Sequence, residues 1–296
     1  GVMHACGHDG HVAIGITLAE LMASRRAEMP GTAVFLFQPA EEVFGGARPM
    51  IQAGVLENPH VEQVYGLHLT TQTPGGHVHV RSGPCMASAD FFDVEVRGTG
   101  GHGAFPHLSK DPITVAANIL LGMQNLVSRE VAAKEPAVLT VGQIVSGTKH
   151  NIIPVTATLR GSLRTFNAEV REQVMERLGA FVTNIAHAYE AEAYLSFADE
   201  GCPTVVNHDA ESDFVHRCAV EEVGANCVGE ADMMMGSDDM SLFLEERPGC
   251  YFRVGIAPGD GVPRPHHAPE FEMNEVGLPV GLRVALNVML NALSAP

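Results

Sequence analysis

Apolar and polar positions in the first third of the chain alternate between a helical period and short apolar runs. Residues 11–26 carry apolar side chains at the spacing of a largely buried helix. Residues 32–38 form a short apolar run, which predicts a strand buried on both faces, as in parallel sheets. A second helix over residues 46–53 and a strand over residues 63–69, ending near His68, follow. This alternation of helix and strand predicts an α/β fold.

The pattern changes between residues 88 and 199. Strands are predicted at residues 90–97, 137–144, 155–164 and 191–197, and helices at residues 112–128 and 169–190. The resulting order, strand–helix–strand–strand–helix–strand, is the split βαβ arrangement of a ferredoxin-like α+β unit. A segment of this length is large enough to form a domain of its own.

The last third of the chain returns to the pattern of the first. Helices are predicted at residues 211–223, 242–246 and 276–293, and an apolar strand at residues 250–255. The simplest architecture is therefore one α/β domain interrupted by an inserted α+β domain. The first domain would comprise residues 1–87 and 200–296, and the inserted domain residues 88–199.

Composition narrows the class of protein. The chain has 296 residues, 46% of them hydrophobic and 18% charged, which is typical of a globular protein with a large core. Its net charge of −17 argues against nucleic acid and anionic membranes as partners. No apolar run is expected to reach the roughly 20 residues that span a bilayer. Six scattered cysteines and thirteen methionines favour a reducing compartment, so we expect a cytoplasmic protein.

The first eleven residues hold the densest cluster of side chains that bind metals. Cys6 and His8 lie two residues apart and are flanked by His4, Asp9 and His11. Thiolate, imidazole and carboxylate are the donors that a borderline-soft divalent metal prefers. A structural zinc site is the alternative, but no second cysteine pair has the required spacing. The cluster therefore favours a catalytic metal.

Further candidates follow predicted strands or lie in loops. Glu41 and Glu42 come after the apolar run, and adjacent carboxylates repel each other unless a cation or a proton separates their roles. A metal would let one of them bind it and leave the other as a general base, whereas a solvated acidic loop is the alternative. His68 alone is more often a satisfied core residue. His267 is a stronger candidate because a loop rich in Pro and Gly would present it rigidly.

The predicted insertion carries a glycine-rich loop over residues 98–107, with His102 among the glycines. Glycine lets the backbone approach a ligand closely, but a simple surface turn would have the same composition. Asn151 lies between two predicted strands, where turn chemistry alone would explain it. Asp238 and Asp239 are either an acid pair near the site or a helix cap. No Gly-x-Ser-x-Gly nucleophile motif and no phosphate-binding loop occur.

Seven stretches of the chain form a set that is far more specific than any single motif. They are Met-His-Ala-Cys-Gly-His-Asp-Gly-His (3–11), Phe-Gln-Pro-Ala-Glu-Glu (37–42), Gly-Leu-His (66–68), Gly-Gly-His-Gly-Ala-Phe-Pro-His (100–107), Asn-Ile-Ile-Pro (151–154), Gly-Ser-Asp-Asp (236–239) and His-Ala-Pro-Glu-Phe (267–271). In this order the set resembles the metal-dependent amidohydrolases related to aminoacylase. The resemblance is greatest to the branch with hippurate hydrolases, bacterial N-acyl-amino-acid amidohydrolases and plant auxin-conjugate hydrolases. It implies a zinc-exopeptidase-like catalytic domain with an inserted dimerisation (lid) domain.

The resemblance also implies a site. Two divalent metal ions, which these donors allow to be Mn, Zn, Co or Ni, would be bound by Cys6, His8, Glu42, His68 and His267. Glu41 would be the base that activates the bridging water. His102 would stabilise the oxyanion from the partner subunit of a homodimer. Asn151 would help to hold the substrate, and Arg164 would meet its carboxylate.

We therefore expect metal-dependent hydrolysis of the amide bond of an N-acyl amino acid or a related conjugate. A dipeptidase or exopeptidase of the same superfamily and an inactive, metal-binding dimeric fragment are the alternatives. Two residues depart from the family pattern: Asp238 stands where relatives have Glu, and Met240 where they have an aromatic residue. Relatives also carry an N-terminal segment before the opening motif, and we expect this piece to be missing from a chain that begins with Gly1.

Overall fold

Seven α-helices and twelve strands are present in residues 2–262 and 264–294, which the computed structural model describes. The helices are α1 (His8–Ser24), α2 (Ala47–Gln52), α3 (Pro112–Asn125), α4 (Ala168–Ala188), α5 (Asp209–Val223), α6 (Met240–Glu246) and α7 (Gly277–Ser294). The strands are β1 (Val64–Pro74), β2 (Val78–Val80), β3 (Gly83–Met86), β4 (Ala89–Arg97), β5 (Gly101–His102), β6 (Ala137–Ser146), β7 (Ile152–Ile153), β8 (Thr156–Thr165), β9 (Glu192–Cys202), β10 (Val205–Asn207), β11 (Val228–Glu230) and β12 (Gly249–Ala257).

The first four-stranded sheet joins strands from both ends of the chain. Its order is β1-β12-β2-β11, with β1 parallel to β12, β2 parallel to β11, and β12 antiparallel to β2. Helices α1 and α7 pack against β1, and α5 and α7 pack against β12. Because helices cover the sheet, β12 is buried along almost its whole length, and its only charged residue, Arg253, is buried as well. The predicted α/β class is confirmed.

The second four-stranded sheet, β6-β8-β4-β9, is antiparallel throughout and packs against α3 and α4. Phe92, Val94 and Val96 of β4 are buried, while Asp93 between them is exposed, as expected of a sheet with one covered face. Asn167 caps α4 by accepting a hydrogen bond from the Glu169 N–H at 2.9 Å. We call residues 89–202 the inserted unit. Its apolar core is separate from those around the first sheet.

Two sequence-based strand predictions were wrong. Residues 32–38 form no strand: β1 is the edge strand of its sheet and pairs only with β12. Residues 32–36 and β1 instead line a common cavity of about 760 Å³. These residues are also half-buried or exposed, and not buried on both faces as predicted. An apolar run becomes a strand only where a neighbouring backbone lies within hydrogen-bonding reach. In addition, β1 continues to Pro74, so His68 lies inside the strand and not at its end.

The expectation that no apolar run reaches the length needed to span a bilayer is wrong for helix α7. Among the described helices it is long and apolar enough to cross a membrane by length and composition, with a mean hydropathy of 1.2 over 18 residues. Its buried residues include Val280, Val284 and Val288, which recur every four residues and form one stripe. This stripe packs against α1, α5 and β12. The share of this 18-residue window that is buried inside the fold is 28%.

Leu178 offers a test of the packing in the inserted unit, because this α4 side chain is fully buried there. Replacing it by Ala removes buried methyl groups and leaves a cavity, so we expect Leu178→Ala to lower the free energy of unfolding by about 2–5 kcal/mol. Denaturant unfolding measures this change. The control Leu121→Ala removes a side chain of α3 that is 74% exposed. An equally small loss for both variants would contradict the described core.

Candidate metal centre

The start of α1 is shaped by two glycines that place Cys6 and His8 near β1. Gly7 has a left-handed backbone, with φ of 79°, and turns the chain between these two side chains. Gly10 lies against β1 so closely that a Cβ there would stand 2.6 Å from Leu69 Cδ1. A side chain at this position would have to displace the end of the Leu69 side chain. The glycines therefore bring the opening cluster next to the strand that carries His68.

Glu41 and Glu42 lie in a one-turn helix, Glu41–Val43, enclosed by left-handed residues. Ala40 has a φ of 56° and Phe44 a φ of 50°, which is unfavourable for residues with a Cβ, by roughly 1–2 kcal/mol each. The turn is closed by the Phe44 N–H, which donates to the Glu41 carbonyl at 2.8 Å. Such strained backbone persists only where surrounding contacts hold it.

His267 completes the cluster from the loop before α7. Its backbone is also left-handed, with φ of 61°, and its N–H donates to the Ala5 carbonyl at 2.8 Å. This hydrogen bond fastens the loop beside the opening cluster. His267 Nε2 lies 3.2 Å from Glu42 Oε1.

The surroundings of His68 fix its tautomer and keep its imidazole neutral. Its Nδ1 lies 2.6 Å from the Leu69 carbonyl, which can only accept, so Nδ1 carries the proton. The lone pair is then on Nε2, which lies 3.7 Å from Cys6 Sγ. Burial lowers the pKa of His68 to about 4, so the ring is neutral at pH 7. Neutral imidazole with a fixed tautomer is the form that binds metals.

The five predicted ligands and the predicted base fall into three overlapping groups. In each group the ligand atoms lie within 4.8 Å of one another; the groups are Cys6/His8/His68, Cys6/Glu42/His267 and His8/Glu41/Glu42. Ligands that stand about 2.0–2.3 Å from one cation are at most about 4.6 Å apart, close to this spacing. Sulfur, imidazole and carboxylate donors suit borderline divalent cations. The residues present therefore fit a pair of such cations.

The electrostatics of the cluster agree with this fit. Burial, together with the charges of Glu42 and Glu41, raises the pKa of the Cys6 thiol to about 12. Burial and the nearby Asp238 raise the pKa of Glu41 to about 8. Both shifts arise because negative charge is crowded in a poorly solvated place. A bound cation would reverse this effect and favour the deprotonated forms.

Asp238, left open by the sequence, is both a cap and a neighbour of the site. Its Oδ1 accepts a hydrogen bond from the Met240 N–H at the start of α6, and its Oδ2 accepts one from the Tyr251 hydroxyl. The carboxylate oxygens of Asp238, Asp239 and Glu41 lie within 4.8 Å of one another. The adjacent Asp238 and Asp239 were visible in the sequence as a candidate acid pair near the site. Tyr251 lies in a buried strand, and the sequence gave no signal for its hydrogen bond to Asp238.

His11 packs against the two predicted ligand histidines His8 and His68. Its ring centroid lies 4.6 Å from that of His68 and 5.3 Å from that of His8. Its Nε2 accepts a hydrogen bond from the Leu69 N–H at 2.9 Å, which ties α1 to β1. Burial lowers its pKa well below the usual value, so the ring is neutral. The sequence placed His11 in the opening cluster but did not predict this supporting role.

His102 and Asn151 lie together on the inserted unit, away from the ligand groups found among the described residues. Strand β5, which contains His102, pairs with β7, and the Gly103 N–H donates to the Asn151 carbonyl at 2.9 Å. Both side chains are exposed. The chain itself therefore brings these two predicted residues next to each other, but not to the cluster.

Arg164 points from the inserted unit to the loop before Asp238. Its Nη1 donates to the Met235 carbonyl at 2.8 Å and to the Ser237 hydroxyl at 3.0 Å. These hydrogen bonds join β8 of the inserted unit to the part of the chain that carries the acid pair. The sequence gave no signal for this connection.

Residues 1–291 match the family model described as peptidase family M20/M25/M40. A solved neighbour is the Bacillus subtilis YXEP protein, whose structure is described as that of a dinuclear metal binding peptidase from the M20 family. It superimposes with a TM-score of 0.82 and 32% identity, covering 99% of this chain and 74% of that chain. The chain therefore belongs to the peptidase M20 family.

Curated relatives carry names of amide-bond hydrolases. IAA-amino acid hydrolase ILR1-like 4 of Arabidopsis thaliana is 37% identical over 95% of this chain and 64% of its own length. N-acetylcysteine deacetylase of Bacillus subtilis is 37% identical over 95% of this chain and 71% of its own length. Thermostable carboxypeptidase 1 of Saccharolobus solfataricus is 36% identical, with the same coverage of 95% and 71%. The chain thus spans about two thirds of the length of these relatives.

These similarities confirm the predicted family, the M20 α/β fold and the enzyme class, a hydrolase of amide bonds. The dinuclear neighbour supports the prediction of two divalent metal ions.

The pH dependence of stability tests the crowding of negative charge around Glu41. Its carboxyl group keeps a proton in the metal-free folded chain up to about pH 8, whereas the unfolded chain releases it near pH 4.5. This proton therefore stabilises the folded, metal-free chain. Its contribution to the free energy of unfolding is complete below about pH 4.5 and is lost as the pH rises through about 8. In excess chelator, we expect the melting temperature of the wild-type chain to fall relative to that of Glu41→Gln between about pH 5 and about pH 9. A difference that does not change with pH would contradict the raised pKa.

Proposed function

We propose that the chain hydrolyses the amide bond of N-acyl amino acids or related amino-acid conjugates, with Glu41 as the general base. The observation that carries this proposal is the convergence of Glu41 and the five predicted ligands into groups with atoms within 4.8 Å of one another. The names of the IAA-amino acid hydrolase and the N-acetylcysteine deacetylase support the same class of substrate.

The two metal ions would be held by Cys6, His8, Glu42, His68 and His267. When bound, Mn, Zn, Co or Ni would supply Lewis acidity toward the amide carbonyl and lower the pKa of a water toward about 7. Cys6 belongs to two of the ligand groups. Because its thiol pKa is raised, Cys6 would release a proton when the ions bind.

Glu41 is suited to proton transfer by its place at the edge of the ligand groups. Its Oε2 lies 3.6 Å from His8 Nε2, and it shares no group with Cys6. Burial and Asp238 raise its pKa in the metal-free chain, and bound cations would favour the carboxylate form, which can accept a proton. In the reaction, Glu41 would take a proton from the attacking water and pass it to the leaving nitrogen.

The inserted unit would act as a dimerisation lid, with His102 serving the site of a partner copy. Its Nδ1 accepts a hydrogen bond from the Ala104 N–H at 3.1 Å, so the proton of the neutral ring is on Nε2. An N–H donor is what a developing oxyanion needs. The exposure of His102 supports a role outside its own chain.

The substrate would be held by Asn151 and Arg164. Asn151 adjoins a cavity of about 550 Å³, which the neighbouring His150 and Ile152 line. Only Nη1 of Arg164 is used in the hydrogen bonds to the loop before Asp238, which leaves its other nitrogen atoms for a carboxylate. The domain boundaries at residues 88 and 199 and a cytoplasmic location belong to the same proposal. The six free cysteines agree with a reducing compartment.

An exopeptidase activity is the second candidate function. It is favoured by the thermostable carboxypeptidase among the relatives, since that name describes cleavage of a peptide bond. Hydrolysis assays with acetyl-, benzoyl- and aminoacyl-amino acids distinguish the two functions. Preference for the acetyl or benzoyl compounds supports the amidohydrolase, and preference for the aminoacyl compounds supports the exopeptidase. Tight metal binding without turnover of any of them would indicate an inactive binding protein.

Glu41→Gln tests the base. The change keeps the size of the side chain but removes the proton acceptor, so we expect kcat to fall by about 10²–10⁴-fold. Because Glu41 is not a predicted ligand, elemental analysis should find the metal content unchanged. The control Glu62→Gln alters an exposed carboxylate in another loop and should retain activity. Wild-type turnover by Glu41→Gln would eliminate Glu41 as the base.

Mixed dimers test the role of His102. We expect Glu41→Gln and His102→Ala to be nearly inactive alone, whereas their random mixture would regain about a quarter of the wild-type activity, because half of the dimers would have one complete site. Activity is measured after coexpression of both variants. If His102 acts within its own chain, the activity of the mixture would only equal the average activity of the two single variants.

A further inference from the structure

The loop that carries Glu41 and Glu42 is fastened at both ends to one distant carboxylate. Before the loop, the Gln38 side-chain amide donates to Asp239 Oδ1 at 2.6 Å. After the loop, the Ala47 N–H donates to Asp239 Oδ2 at 3.1 Å. Asp239 is fully buried, and it lies about two hundred residues further along the chain. The two fastening points therefore come from tertiary structure and not from the loop itself.

The same loop closes on itself between these two points. Gly46 lies so near the start of the loop that a Cβ there would stand 1.8 Å from the Pro39 carbonyl oxygen. The Gly45 N–H donates to the Ala40 carbonyl at 3.0 Å. With left-handed residues at Ala40 and Phe44, this closed shape is not one that the loop would prefer alone. Contacts from outside must maintain it.

The chemistry of the two fastening points explains why an acid stands at position 239. Gln38 Nε2 and the Ala47 N–H are both donors, so the residue between them needs two acceptor atoms. A carboxylate has two, whereas an Asn side chain would turn its NH₂ group toward one of the donors. This arrangement persists although Asp239 lies beside Asp238 and Glu41, where a further acid adds to the crowding of negative charge.

We propose that Asp239 is a positioning residue for the reaction. By holding Gln38 and Ala47, it fixes the closed loop so that Glu42 faces Cys6 and His267 while Glu41 stays beside them. The roles of Glu41 and Glu42 in this statement rest on the proposed function. The fastening of the loop rests only on the hydrogen bonds of Asp239.

Asp239→Asn and Gln38→Met test this proposal by removing one fastening point each. We expect the metal dissociation constant, measured by competition with a chelator for Zn²⁺ or Mn²⁺, to rise about 10–100-fold in both variants. The amides of residues 40–46 should exchange hydrogen faster than in the wild-type chain. In the loaded enzyme kcat should fall while KM for the substrate changes little, because the substrate itself is not contacted.

A matched control separates positioning from general stability. Asp90 is another buried carboxylate, paired with Arg171 in the inserted unit, away from the metal cluster. Asp90→Asn should lower the melting temperature without changing metal affinity or exchange at residues 40–46. If Asp239→Asn behaves like Asp90→Asn, Asp239 is merely structural and the proposal is wrong.

The double variant Asp239→Asn/Gln38→Met tests whether the two residues act as one unit. We expect the loss of metal affinity to be smaller than the product of the two single effects, because Gln38 acts on the loop only through residue 239. Multiplied effects would overturn the shared role. If Asp239→Asn does not fold, Gln38→Met alone provides the exchange and affinity measurements, since Gln38 is only partly buried.

The experiments distinguish rejection of the role of Asp239 from rejection of the proposed function. If the wild-type chain shows no turnover, the amidohydrolase proposal fails, yet exchange at residues 40–46 still reports whether Asp239 fastens the loop. If the wild-type chain is active and both variants keep its metal affinity and exchange rates, only the role of Asp239 is rejected.

Discussion

Crowded negative charge in a poorly solvated place is the constraint on which the site depends. Glu41, Asp238 and Asp239 lie within 4.8 Å of one another, and Cys6 lies beside Glu42. Without positive charge, burial and the neighbouring carboxylates raise the pKa values of Cys6 and Glu41. Tight packing of α1 on β1 and the strained loop around Glu41 maintain the crowding. Divalent cations would supply the positive charge that this cluster of acidic groups lacks.

The predicted site residues are divided between two parts of the chain, because the apolar core of the inserted unit is separate from the two cores around the first sheet. The ligand cluster is built on the first sheet and the loops beside it, while His102 and Asn151 belong to the inserted unit. Among the described residues, the ligand groups contain neither of these two side chains. The fold leaves the predicted oxyanion donor exposed.

The sequence predicted the parts of this structure that follow from local pattern. The apolar period of α1 and the donor chemistry of Cys6 and His8 were visible directly. The run at residues 32–38 predicted a strand buried on both faces, but these residues form no strand and are half-buried or exposed. The contact between Gln38 and Asp239 joins residues far apart in the sequence, and no local pattern reveals it. The left-handed backbone of His267 was equally invisible.

Arg164 gives the two parts of the chain a mechanical connection. Its hydrogen bonds run from β8 to the loop just ahead of Asp238 and Asp239. A swing of the inserted unit would pull on that loop, and through Asp239 on the segment that presents Glu41 and Glu42. Any movement of the inserted unit would therefore be transmitted to the loop of Glu41 and Glu42 through two sets of hydrogen bonds, those of Arg164 and those of Asp239.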